Sequence, residues 1–490
     1  MWPAAALLLA VAAFALRVHN LAFESLDIDE ADVVVYALAD LRTVLERLLS
    51  AGDNGPAYML LVRLWIGLAG QSEFSLRFLS VLPSVLSVPL FYALGRKLFD
   101  QRVGLAAAAL GAFSTYQLFF AQMNKMYALV VCLTLLTSYL LLRGIETARP
   151  RAWVAYTITT TALMATHVFG VLVVPWHAVY ALWCLRSNRR HLKPWLVSLG
   201  ALTLPYLPFA YSRLLALVRP ETLTREFTGP RDFAGMFVTL AREYGTRYDQ
   251  WPEGTFEVAF SLATVLGVAV LAWRWPAART RGLPFVLLGL VVPVVATYVV
   301  VWLGAPLFAS RYQIMTLPFY YLLWGGLIAV VLTKRLFPAA GLLLAAFVLV
   351  NGLRWGQTTF DNTRFREDFR GAITSLNRQY QPGDMVLTLH DSVSNGVRYY
   401  QKVPMTITSL EAGPGKPPDR SKFPAWPPTG RVWLVGIYVE SQGLLETEQW
   451  LSVGAGLGGK RWFGGAMLAE FNVFRTEPTP PGEAAGAGYA

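Results

Sequence analysis

Long apolar runs, each bounded by short polar stretches, punctuate the first 353 residues. A helix that crosses the hydrocarbon of a bilayer needs about 20 mainly apolar residues. Runs approaching that length lie near 2–17, 75–95, 104–120, 126–142, 152–166, 168–185, 194–212, 256–273, 283–302, 312–333 and 338–353. The pattern predicts about eleven transmembrane helices, with 152–166 and 168–185 meeting at His167 as a broken or re-entrant pair. Between the first two runs lies a long segment, about 18–74. In it Val34, Ala37, Leu38, Leu41, Leu45, Leu48 and Leu49 recur at helical spacing, while Asp40, Arg42, Glu46 and Arg47 occupy other faces. That pattern predicts an amphipathic helix lying in the interface.

After residue 353 the period changes. A helix is predicted over 365–380, stopped by Pro382-Gly383, and strands over 384–390, 404–410, 431–439 and 470–476. Residues 411–430 form a loop rich in Pro and Gly, and the Pro, Gly and Ala of the last residues predict disorder. The fold class is thus membrane, mainly α, with a small C-terminal α/β domain. Its parts are a polytopic unit over 1–354, the α/β domain over 355–477 and a tail over 478–490. No internal repeat is visible.

Composition agrees. Hydrophobic residues make up 55% of the chain and charged residues 15%, against about 25% charged in soluble proteins. The bilayer is therefore the solvent for much of the chain. A net charge of +11 raises the question of a nucleic-acid partner, but the basic residues cluster in short loops between apolar runs, which is how membrane proteins hold their orientation. The loops 95–102, 143–151, 186–193, 274–282 and 333–337 together hold 15 Lys and Arg. The alternate connections are much longer, hold about as many, and carry nearly all the loop carboxylates. The positive-inside rule then makes the five short loops cytoplasmic. The N-terminus falls inside, and the 18–74 segment and the C-terminal domain fall outside. The expected location is the inner (plasma) membrane, crossed many times. A cleaved signal peptide is the alternative for the first run, disfavoured by its lack of a basic n-region. Two cysteines, Cys132 and Cys184, each within an apolar run, support neither a disulfide framework nor a metal site.

The candidate chemistry sits in the outer segments. The stretch SLDIDEAD holds Asp27, Asp29, Glu30 and Asp32 where the first span leaves the membrane. One reading is helix capping, with Asp29 as N-cap and Asp32 three residues on. The other is a general base at the membrane boundary, which an inverting sugar transfer needs to take the proton of an acceptor hydroxyl. A phosphate leaving group needs no strong acid; it needs positive charge or a metal. Asp27-Ile28-Asp29 spells DxD, a weak metal signal alone. For positive charge, AQMNKMYAL (121–129) places Lys125 and Tyr127 at the outer boundary, and FASRYQIMTLP (308–318) places Arg311 and Tyr312 at the same level. Taken singly, these read as snorkelling cations and an aromatic belt. Together they suit a lipid phosphate, which Arg grips with two parallel hydrogen bonds and Lys holds as a point charge. His167 marks the outer turn of THVFG, where a structural hydrogen-bonded histidine is the ordinary reading. The outer loop 213–255 carries charges of both signs and yields no single candidate.

The order of these pieces resembles the C-type membrane glycosyltransferases, specifically the protein O-mannosyltransferase-like group (glycosyltransferase family 39), whose bacterial relatives include aminoarabinose and galacturonic acid transferases. The resemblance runs over about 15–185 and more weakly to Arg311-Tyr312. It rests on DEA at 29–31, the stretch 53–82, AQMNKMYAL, THVFG and SRY, in family order. It implies Asp29 as catalytic base with Glu30 beside it. Lys125 and Arg311 are implied as phosphate contacts, with Tyr127, His167 and Tyr312 in the substrate-binding set. Two departures stand out: Met123 replaces the Glu common before Ala-Arg-Met-Tyr, and Lys125 replaces the Arg.

The expected function is inverting transfer of one sugar from a polyprenyl-phosphate carrier to an acceptor hydroxyl on a lipid, glycan or protein at the outer face. A divalent cation is the one cofactor this chemistry leaves open. A non-catalytic family member acting as scaffold in envelope glycan assembly is the main alternative. Transport fits less well, because the central spans are nearly free of charge and no repeat appears.

Overall fold

The computed structural model of the protein describes residues 2–49, 56–147, 149–186, 192–204, 207, 230–246, 269, 281–303, 308–333, 351, 367–411, 417–427, 429–437 and 441–473. The expected spans 256–273 and 338–353, the end of 194–212 and the C-terminal tail lie outside these residues, but for Ala269 and Asn351. The chain forms two compact units: residues 1–23 with 36–362, and residues 24–35 with 363–490. The acidic segment, which the sequence pattern leaves with the membrane part, thus joins the C-terminal unit.

The described helices of residues 1–362, in order, begin with α1 (Trp2–Val18), α2 (Ile28–Leu38, whose residues up to Val35 belong to the second unit), α3 (Leu41–Leu49), α4 (Pro56–Ala69) and α5 (Glu73–Leu98). They continue with α6 (Gln101–Phe113), α7 (Thr115–Ala121), α8 (Tyr127–Thr147), α9 (Pro150–Thr166), α10 (Val173–Leu185) and α11 (Leu192–Thr203). The last are α12 (Phe233–Thr246), α13 (Leu283–Trp302) and α14 (Leu317–Thr333). Among the described residues, four helices are long and apolar enough to cross a membrane, or five if the pair α6–α7, bent by 57°, counts as one span. The protein is a multi-pass membrane protein of mainly helical fold.

The one amphipathic helix expected across 34–49 is two, α2 and α3. Asp40 causes the break: its carboxylate accepts from the Thr43 amide at 2.9 Å, starting a new helix at Leu41. Ser114 breaks the expected span 104–120 in the same way, accepting from the Gln117 amide at 3.1 Å. In the core, α5 packs against α1, α6 and α8, and α14 packs against α6. Helices α5 and α6 come close at Gly95 and Gly104, where a Cβ on Gly95 would lie 2.6 Å from the Gly104 Cα. Small residues at such crossings let helix backbones touch where lipid offers no hydrophobic drive.

Arg17, fully buried at the end of α1, ties that crossing together. Its guanidinium donates to Ser84 Oγ at 2.7 Å, to the carbonyls of Gly111 and Ala112 at 2.9 Å each, and to the Ala13 carbonyl at 3.1 Å. Gly111 and Ala112 end α6, so their carbonyls lack intrahelical partners. The cation satisfies them inside an apolar environment.

The second unit is an α/β sandwich. Its strands are β1 (Met385–Thr388), β2 (Thr406–Ser409), β3 (Arg431–Ile437), β4 (Ala455–Phe463) and β5 (Ala466–Val473), in the order β2-β1-β3-β5-β4. The pairs β1–β2 and β1–β3 are parallel, while β3–β5 and β4–β5 are antiparallel. Helices α15 (Phe369–Gln379) and α16 (Asp391–Tyr400) supply Phe369, Ile373, Val393 and Val397 to one face. Helix α17 (Ser441–Leu451) supplies Leu444 and Leu451 to the other. Alternate strand residues point to opposite faces, so Val432 and Leu434 join one core while Trp433 and Val435 join the other. Strand β4 escapes the sequence pattern because four glycines from Gly454 to Gly459 erase the alternation, and as an edge strand it is exposed over most of its length.

Candidate functional site

Three segments of the first unit carry the expected substrate-binding residues. Ahead of α8, the Lys125 amide donates to the Met123 carbonyl at 2.7 Å, and Ser80 Oγ donates to the Lys125 carbonyl at 3.1 Å. The Tyr58 hydroxyl lies 2.8 Å from Ser80 Oγ and 3.2 Å from Asn124 Oδ1. The turn is therefore fastened to α4 and α5, with the Lys125 side chain half-buried.

His167 ends α9 and is fully buried. Its Nδ1 accepts from the Phe169 amide at 3.2 Å. This bond assigns the neutral imidazole proton to Nε2, and Nε2 has no hydrogen-bonding partner among the described residues. The ring sits 6.0 Å from that of Tyr127, 5.9 Å from Tyr312 and 5.8 Å from Phe169, and Phe169 stacks on Tyr312 at 5.6 Å. Residues more than 180 positions apart in sequence thus share one aromatic cluster.

Arg311 and Tyr312 lie in a 3-10 turn, Ser310–Thr316, where the Arg311 guanidinium carbon is 5.4 Å from the centre of the Tyr312 ring. Arg311 is half-buried and Tyr312 is buried. The turn is held from α12: Ser310 Oγ donates to Glu243 Oε2, and the Tyr244 hydroxyl donates to the Gln313 carbonyl at 2.7 Å. From α7 the Tyr116 hydroxyl donates to Ser310 Oγ at 3.1 Å. Glu243 is the residue that sequence reasoning missed. It belongs to the mixed-charge stretch 213–255, where no spacing signal distinguishes a carboxylate that holds a distant turn from a solvated one. Arg225, Glu226, Arg247 and Asp249 of that loop lie outside the described residues.

The acidic motif belongs to the second unit. Asp27 Oδ1 accepts from the Glu30 amide at 2.7 Å, and Glu30 Oε2 accepts from the Asp27 amide at 3.2 Å. This reciprocal pair is a capping box. The capping reading therefore falls one turn-start earlier than the sequence pattern placed it, on Asp27 with Glu30 rather than on Asp29 with Asp32. The reason is tertiary. Asp32 is drawn to α16, accepting from Ser392 Oγ at 2.7 Å and Asn395 Nδ2 at 2.8 Å. Upstream, Ser25 Oγ donates to the Glu367 carbonyl at 2.6 Å, and the Leu26 amide donates to the Tyr400 hydroxyl at 2.7 Å. Glu30 is fully buried, and Asp29 stands half-buried in the first turn of α2. Of the seven predicted site residues, the structure gathers Tyr127, His167 and Tyr312 in one cluster, with Arg311 on its edge. Asp29 and Glu30 belong to the other unit.

For a divalent cation the fit is poor. Among the described residues no three His, Cys, Asp or Glu side chains gather as a ligand set. Asp27 and Glu30 serve the cap and Asp32 serves α16, while the buried thioether of Met123 is a soft ligand unsuited to hard cations.

The chain has the fold of the C-type membrane glycosyltransferases and resembles their protein O-mannosyltransferase-like group. Residues 53–211 match the family model described as dolichyl-phosphate-mannose-protein mannosyltransferase, a stretch that contains Lys125, Tyr127 and His167 but neither Asp29 nor Arg311. Among solved structures, ArnT from Cupriavidus metallidurans aligns at 13% identity and a TM-score of 0.58, covering 95% of this chain and 97% of that one. The same protein solved with undecaprenyl phosphate bound aligns equally well. The oligosaccharyltransferase of Archaeoglobus fulgidus, crystallised with Zn and sulfate, aligns at 13% identity and a TM-score of 0.53, over 91% of this chain and 69% of that one. No curated protein matches the sequence.

Proposed function

We propose that the protein is an inverting glycosyltransferase that moves a monosaccharide from a polyprenyl-phosphate carrier to an acceptor hydroxyl at the outer membrane face. It would cross the membrane about eleven times, a count carried by the apolar runs, with its N-terminus in the cytoplasm. The supporting observation is the meeting of Tyr127, His167 and Tyr312, from three distant segments, beside the half-buried guanidinium of Arg311. A buried imidazole N–H with no partner among the described residues is a donor that a phosphate oxygen would satisfy.

In this mechanism Arg311 and Lys125 hold the donor phosphate and His167 Nε2–H donates to one of its oxygens. Tyr127 and Tyr312 wall the headgroup. Asp29 takes the proton of the acceptor hydroxyl as its oxygen attacks the anomeric carbon from the face opposite the phosphate. The bond from that carbon to the phosphate oxygen breaks, and its electron pair stays on the phosphate, already an anion. Inversion follows from the single displacement. Glu30 sets the start of α2 and so the position of its neighbour Asp29.

The test is transfer of labelled sugar by purified protein in nanodiscs, supplied with polyprenyl-phosphate sugars and a lysate of envelope acceptors. Wild type is expected to transfer and Asp29→Asn to fail. A folded wild type that transfers nothing from any donor would favour the scaffold reading, which the replacement of a family Glu by Met123 supports.

A further inference from the structure

The second unit takes in a segment from far away in sequence, residues 24–35, and that segment carries Asp29. Its ties run along α16. At one end the Leu26 amide donates to the hydroxyl of Tyr400, the last residue of α16. Ile28 then packs against the core that Val393 and Val397 line. At the other end the Asp32 carboxylate accepts from Ser392 Oγ at 2.7 Å and Asn395 Nδ2 at 2.8 Å, near the start of α16. Asp29 lies between these anchors.

The Asp32 end is a built receptor for a carboxylate. Ser392 and Asn395 are both buried. Asn395 Oδ1 accepts from Arg398 Nη1 at 2.8 Å, which turns the amide N–H toward Asp32. His390 Nδ1 accepts from the Ser392 amide at 3.1 Å, so the helix is capped without the Ser392 hydroxyl. Ser394 Oγ lies 2.6 Å from Thr388 Oγ1, which pins the helix start to the end of β1. Topology sets the place as well. Strands β1 and β3 are parallel neighbours, yet α16 leaves β1 for one face of the sheet and α17 leaves β3 for the other. Open α/β sheets bind ligands, commonly anions at a helix N-terminus, outside the carboxyl ends of strands at such a divergence. Here the chain's own Asp32 occupies that position.

We propose that the second unit is a positioning part of the transfer site: Ser392 and Asn395 hold Asp32 as an intramolecular ligand and so fix where Asp29 stands. This rests on the reading of Asp29 as general base. Ser392 and Asn395 act through Asp32 and touch no reacting group. A misplacement of about 1 Å in a reacting group costs about 10²-fold in rate. Releasing the tie should therefore lower kcat by about 10–100-fold, and leave the donor KM, which the phosphate contacts set, within about threefold of wild type.

The test measures sugar transfer by the full-length protein in nanodiscs, carrying Asp32→Ala, Ser392→Ala/Asn395→Ala, all three changes together, or Asp32→Asn, with Asp29→Asn run alongside. An Asn at position 32 can still accept from Asn395 and pair with the Ser392 hydroxyl. Asp32→Asn is therefore expected to stay within about threefold of wild type. The Asp32→Ala and Ser392→Ala/Asn395→Ala proteins should lose kcat alike, and the triple variant should be no slower than either, because contacts that act as one unit are not additive. Hydrogen exchange read by mass spectrometry follows the tie without the reaction. Amides of 26–33 should exchange about tenfold faster in both Ala variants, while peptides from β1, β3 and β5 keep wild-type protection and show the unit still folded. Three outcomes would overturn the proposal: wild-type kcat in the Ala variants, losses that multiply in the triple variant, or a fall in kcat seen only with loss of protection across the whole sheet. An Asp29→Asn protein as active as wild type would remove the base reading and the proposal with it. Inactive Asp29→Asn beside unimpaired Ala variants would remove the proposal alone.

Discussion

The start of α2 lets chemistry and stability be separated by substitutions two residues apart. Asp27 and Glu30 satisfy each other's amides, whereas Asp29, in the same first turn, takes no part in that exchange. Asp27→Ala removes the cap and should cost about 0.5–2 kcal/mol. Glu30→Ala leaves the Asp27 amide without its acceptor and opens a cavity at a fully buried site, a cost of about 1–3 kcal/mol. Asp29→Asn keeps the shape of the side chain and removes a favourable charge at a helix N-terminus, about 0.3–1 kcal/mol. If Asp29 is the general base, its loss should lower the transfer rate by about 10²–10⁴-fold. Thermal unfolding in detergent and sugar transfer from a polyprenyl-phosphate donor would be measured on the same preparations. The expected pattern is crossed: Asp29→Asn stable and inactive, Asp27→Ala less stable but retaining most of its rate when held well below its unfolding temperature. A transfer rate for Asp29→Asn within threefold of wild type would refute the assignment.

Further outcomes follow from the packing. Arg17→Met should lower stability by about 2–4 kcal/mol, because the Gly111 and Ala112 carbonyls lose their donors; unchanged resistance to denaturation in mixed micelles would contradict this. Gly104→Ala puts a Cβ 2.5 Å from the Tyr92 carbonyl oxygen, and the overpacking should cost about 1–3 kcal/mol in the same assay. In the second unit, burial pushes the Asp384 carboxyl up, but hydrogen bonds from the Gln381 amide and the Trp433 indole, with Arg431 beside it, outweigh that and hold it below the ordinary carboxylate value. Its stabilisation is therefore full above the unfolded value of about 4 and lost as pH falls through the lower folded one. Asp384→Asn should flatten that acid limb and cost about 2–4 kcal/mol at neutral pH, as acid titration followed by circular dichroism would show. Glu243→Gln weakens the acceptor of the Ser310 hydroxyl and is expected to raise the donor KM with little change in unfolding temperature; an unchanged KM would remove Glu243 from the positioning of Arg311.

Apolar run length and the change of period after residue 353 were enough to read a multi-pass helical protein followed by an α/β domain. Both are local properties, set by what a bilayer or a pleated sheet demands of consecutive residues. Motif order was legible too, since AQMNKMYAL, THVFG and SRY stand in family order whatever their spatial relation. Only the tertiary structure brought Tyr127, His167 and Tyr312 within ring contact, moved the cap from Asp29 to Asp27, and set Glu243 on Ser310. It alone revealed β4, whose glycines carry no alternation and whose strand form comes from pairing with β5. The division has a physical cause. Solvent preference is written residue by residue, while a hydrogen bond between positions 60 to 360 apart depends on where every intervening helix and strand packs.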